Sequence, residues 1–182
     1  MWEAAVAEYS PVPELNLLKA FQDEVGYEAY ADGFGLDDFG DRSGLAAGWS
    51  KDPDFLARLT PFARATGGGS FYALWHVDSR TDLATLPVVV FGDEGGQHVV
   101  ARNLRELFQL LAYDTEISVD WDDAYYYRTE DQTPSDAHAQ FVTWLAENFA
   151  LSPTDNPDAL LAQAQSEFGD SFTVWSNAYL TT

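Results

Sequence analysis

The sequence predicts an α+β domain: a central, mostly antiparallel sheet built from two hairpins, with helices N- and C-terminal to it. Three observations carry this. Strand-like apolar runs cluster between residues 61 and 101, and each pair is joined by a glycine-rich turn. Helix-period apolar residues flank that block on both sides. The chain has 182 residues, 46% hydrophobic and 15% aromatic, which is apolar enough for a substantial core and too apolar for disorder. One domain over residues 1–182 is expected, with 1–50 as a divergent N-terminal extension.

The first helix is expected from Pro13 to Val25, with Leu17, Leu18, Phe21 and Val25 inward and Gly26 as its stop. Residues 26–50, rich in Gly and Asp, read as loop with short helical turns. Asp52 caps a short helix that has Pro53 at its first position. The first hairpin pairs 62–66 with 70–77 across Gly67-Gly68-Gly69, where glycines supply positive φ. The second pairs 87–91 with 97–101 across Gly92-Asp93-Glu94-Gly95-Gly96. The strand 87–91 is apolar on both faces, which predicts a place in the interior of the sheet. Asn103 caps a helix to Ala112, and Glu106 stands at the capping-box position. A strand is expected at 125–127. A further helix opens at Thr133-Pro134-Ser135-Asp136 and carries Phe141, Trp144, Leu145 and Phe149 inward. Asn156-Pro157 opens a last helix, ended by Gly169, and Phe172–Trp175 is expected as a closing strand.

Charge narrows the function. Nine basic and 30 acidic residues give a net charge of −21, which argues against gripping nucleic acid or an anionic membrane through charge. The excess is uneven. Residues 113–182 hold 13 acidic groups and one cation, Arg128, whereas residues 61–112 hold five acidic and four basic groups. Arg supplies seven of the nine cations, in keeping with a GC-rich bacterial genome. With no cysteine, disulfides, thiolate catalysis and cysteine-ligated metals are excluded. Residues 1–8 lack the basic and apolar regions of a secretory signal. No run reaches the roughly 20 apolar residues of a membrane span, so a cytoplasmic protein is expected.

The remaining motifs advertise no reaction. Asp93, Glu94 and His98 form the most enzyme-like cluster, and a hydrolase reading would require them to converge. Carboxylates in a glycine-rich turn are, however, ordinarily exposed turn residues. His76, His98 and His138 show no metal-ligand spacing, and Asp120-Trp121-Asp122-Asp123-Ala124 breaks the calcium-loop pattern at Ala124. Both glycine-rich turns join strand to strand, unlike a phosphate loop. No cofactor or metal is expected.

The stretch 114–131 is the candidate binding surface. It interleaves carboxylates with rings: Asp114, Glu116, Asp120, Trp121, Asp122, Asp123, Tyr125, Tyr127, Glu130 and Asp131. Rings among charges suit a binding hot spot, and an anionic face speeds encounter with a cationic protein. Two blander readings stand beside it: a solubilising acidic surface, and an edge strand that places the middle tyrosine, Tyr126, in the core.

Residues 61–112 resemble the SUKH superfamily, which includes a fungal cell-wall-assembly regulator and many bacterial immunity proteins. The resemblance runs through Pro61-Phe62-Ala63, Thr66-Gly67-Gly68-Gly69-Ser70, Trp75, Pro87-Val88-Val89-Val90-Phe91-Gly92-Asp93-Glu94-Gly95, and Val99-Val100-Ala101 leading into Asn103–Leu111. The order of these motifs is more telling than any one of them. The family's L-P-x-x-[YF] helix entry is not found here. The resemblance implies an α+β fold without a catalytic site that binds secreted toxins, often nucleases. The expected function is therefore a non-catalytic immunity protein that neutralises a basic toxin domain. A regulatory adaptor with an endogenous partner is the alternative.

Overall fold

A computed structural model describes residues 8–180. Five strands follow one another across a single sheet in chain order: β1 (Gly35–Leu36), β2 (Leu59–Arg64), β3 (Phe71–Trp75), β4 (Val88–Phe91) and β5 (Gln97–Ala101). Every pairing is antiparallel. The two expected hairpins are its centre. The edge strand β1 comes from the glycine- and aspartate-rich region that reads as loop, because two residues are too few to show a period.

Both faces of the sheet are buried, and strand alternation divides the core in two. On β3, Tyr72 and Leu74 face one side while Ala73 and Trp75 face the other. On β4, Val88 and Val90 oppose Val89 and Phe91 in the same way, and all four are fully buried. The first face is covered by α1 (Pro13–Val25), α4 (Leu104–Leu111) and α5 (His138–Phe149) through Leu18, Leu107, Phe108, Phe141 and Leu145. The second face meets α2 (Ser43–Gly48) and α3 (Pro53–Ala57) through Leu45 and Phe55. Each such side chain contributes about 1.5–3 kcal/mol by leaving water.

Local signals explain most of the boundaries. Gly26 ends α1 at φ 114. Asp52 caps α3 through the Asp54 N–H, and Asn103 caps α4 through the Glu106 N–H. Four details differ from expectation. Leu15 and Gln22 are buried on α1 where Leu17 is 45% exposed, since the stripe turns by about one residue from the one the apolar pattern suggested. Of the three glycines at 67–69, Gly69 alone takes a positive φ, 117°. Glu106 returns to the Arg102 N–H and guanidinium rather than to its own cap residue. Finally, α5 starts at His138 because the Ser135 N–H and hydroxyl are given to Asp114.

The C-terminus departs further. Gly169 does not end a helix and 172–175 is not a strand. Instead α6 (Pro157–Ala164) runs through a π-helical turn at Gln165–Gly169 into α7 (Asp170–Leu180). Phe168, Phe172, Trp175 and Tyr179 recur at helical spacing and pack on the second core. Leu161 of α6 lies in the first core and Phe172 of α7 in the second. One helical run thus passes the β5 edge from one face to the other: Ala164 at the end of α6 already lies in the second core, and the π turn follows it.

Candidate functional site

The acidic segment divides in two. Its first carboxylates are used inside the fold. Asp114 follows α4 in the left-handed region, φ 58, and only 4% of it is exposed. Its carboxylate accepts from the Asp32 N–H at 2.9 Å, the Ser135 N–H at 2.7 Å and the Ser135 hydroxyl at 2.6 Å. His138 Nδ1 lies 3.7 Å away. Glu116 accepts from the Gly67 N–H at 3.0 Å and lies across Gly33, where a Cβ would overlap it. Asp114 is therefore corrected from an expected docking residue to an internal tie, and half-buried Glu116 is tied to the Gly67 loop.

The other eight lie outside. β6 (Ile117–Val119) and β7 (Ala124–Tyr126) form a separate two-stranded hairpin. Ile117, Ala124 and Tyr126 face inward. Tyr126 is the middle tyrosine in the core: it meets Tyr113 edge-on, and burial pushes its phenol well above the ordinary range. Strand alternation then turns Tyr125 and Tyr127 outward, and they are 38% and 69% exposed. Trp121 at the hairpin tip is 74% exposed. Asp120, Asp122, Asp123, Glu130 and Asp131 are exposed, and among the described residues none of the five is in an ion pair. Arg128 is tied to the Tyr113 carbonyl and the Thr115 hydroxyl, with its guanidinium 4.0 Å from the centre of the Tyr113 ring.

The tip is held by the β4–β5 turn. Trp121 lies on Gly95 and the Asp120–Trp121 backbone lies on Gly96, so closely that a Cβ at either glycine would overlap it. Both glycines also take positive φ, 108° and 87°. His98 Nε2 donates to the Asp120 carbonyl at 2.7 Å. A cleft of about 710 Å³ opens beside this contact, between the two turns, Trp49 at the end of α2, and α7. Trp49 and the α7 residues Thr173 and Leu180 were not anticipated as neighbours of the segment. No local motif links residues 49, 121 and 173, since only the packing of α2 and α7 on the second core assembles them.

Of the three residues of the hydrolase reading, Asp93 and His98 line this cleft and Glu94 does not. Asp93 accepts from the Ser70 hydroxyl at 2.5 Å, and the Asp93 N–H donates back to that hydroxyl at 2.9 Å. Glu94 is exposed on the turn, and His98 is bound to the Asp120 carbonyl. His76 is half-buried beyond β3, with Nε2 2.8 Å from the Thr60 hydroxyl. Burial, then the Arg42 and Arg58 guanidiniums, hold its pKa below the ordinary value. Among the described residues no group of three or more side chains is placed to hold a metal ion, and no helix is long and apolar enough to cross a membrane.

Compared with known protein families, curated proteins and solved structures, the chain matches none.

Proposed function

We propose that this chain is a non-catalytic binding module, an immunity protein of the SUKH kind that neutralises a basic toxin domain in the cytoplasm by covering it. The observation that carries the reading is the outer half of the acidic segment. Trp121, Tyr125 and Tyr127 stand exposed among five carboxylates that have no ion-pair partner within the described fold. Rings provide contact area at low entropy cost, and unpaired carboxylates attract a cationic surface. A nuclease needs such a surface to hold nucleic acid, so an anionic inhibitor competes for it. The motif order along residues 61–112 supports the same reading.

The test is to mix the purified protein with the toxin-like domain encoded beside its gene, at low and at high salt. A complex that weakens as salt rises is expected. Reversing charge at Asp120, Asp122 and Asp123 together should slow association about tenfold while changing dissociation less. No complex at either salt overturns the reading. A pull-down that instead returns an endogenous partner, with no toxin gene adjacent, makes the protein an adaptor.

A further inference from the structure

We infer that the cleft between Trp49 and Trp121 receives one arginine side chain of the basic partner. The inference rests on the reading above for its partner and on separate observations for its site. The cleft, about 710 Å³, has room to admit a side chain from a partner. It is lined by Trp49 and Trp121 and by the acidic residues Asp93 and Asp122, and no lysine or arginine lines it.

The parts are held in place before any partner arrives. Trp121 is seated on Gly95, and its turn is locked by His98. Trp49 meets Phe91 edge-on with ring centres 4.9 Å apart. Asp93 is oriented by Ser70. Asp122 is exposed and forms no ion pair among the described residues. A guanidinium suits such a place better than an ammonium, because it is planar, stacks on an indole face and donates two parallel hydrogen bonds to a carboxylate.

The experiment follows the indole N–H signals of Trp49 and Trp121 by NMR, assigned with Trp49→Phe and Trp121→Phe. The protein is titrated with N-acetyl-arginine amide and, separately, with its neutral citrulline counterpart. Both signals should shift saturably with arginine and stay still with citrulline. Asp122→Asn should weaken the arginine response about threefold and Trp121→Ala about tenfold. Equal responses to the two probes, or none to either, overturn the inference.

A second arm uses the toxin domain and Thr173→Arg, which places a tethered guanidinium on the exposed α7 wall. Affinity should fall at least about tenfold. If wild type and Thr173→Arg bind the toxin equally, the arginine seat is wrong while the immunity reading stands. If no toxin binds the wild type, the immunity reading falls, and the arginine titration still decides the cleft.

Discussion

The two halves of the acidic segment are written in the same residues and used in opposite ways. Asp114 and Glu116 each meet backbone N–H groups of distant loops, so their charges are consumed in holding residues 32, 67 and 135 in place. Among the described residues, Asp120, Asp122 and Asp123 form no ion pair. The difference lies in what surrounds the chain. The inner half lies beside three loops whose N–H donors need acceptors, whereas the outer half rests the Trp121 ring on Gly95 and the Asp120–Trp121 backbone on Gly96 and leaves its carboxylates exposed. Acidity alone therefore does not mark a docking surface, since Asp114 is spent inside the fold.

The largest expected effect breaks the inner half. Asp114→Ala strands two backbone N–H groups and a hydroxyl, and should cost about 3 kcal/mol, a fall in Tm of roughly 10 °C. Thermal denaturation checks it, and a loss below about 1 kcal/mol would make Asp114 no different from the outer carboxylates. Next comes the seat. Gly96→Ala puts a Cβ onto the Asp120 carbonyl at a φ of 87°, which should cost about 2 kcal/mol. Hydrogen exchange in the β6–β7 hairpin should rise in that variant. If exchange rises evenly across the whole chain instead, the hairpin is not held by this contact.

By contrast, the charge reversal at Asp120, Asp122 and Asp123 should leave stability within about 0.5 kcal/mol per site, because the three side chains hold up nothing remote. Urea denaturation of that variant sharpens the comparison, since a marked loss would assign the outer carboxylates a structural role as well. The smallest effect concerns His76, a control from the nearly neutral sheet. Its folded pKa lies below the unfolded value, so the unfolded chain takes up the proton first. Stability present above about pH 6.5 is then lost as pH falls toward the folded pKa. His76→Gln should flatten that slope by less than about 1 kcal/mol after solvent screening, measured as the difference in Tm between pH 7 and pH 5.5.

What local chemistry could decide was legible in the sequence. The caps at Asp52 and Asn103, the Gly26 stop, the two glycine turns and the all-apolar interior strand depend on residues within a few positions of one another. The outward Trp121, Tyr125 and Tyr127 follow from alternation on a short strand and from a polar turn. The continuous C-terminal helix was hidden because Gly169 imitates a stop. Its aromatic spacing serves two cores in succession, which a single-face reading does not register. The inward turn of Asp114 and Glu116, and the meeting of Trp49, Trp121 and α7 around one cleft, were decided by tertiary structure alone. Whether a carboxylate is spent or free depends on which distant backbone donors arrive beside it, and that is settled only when both faces of the sheet are covered.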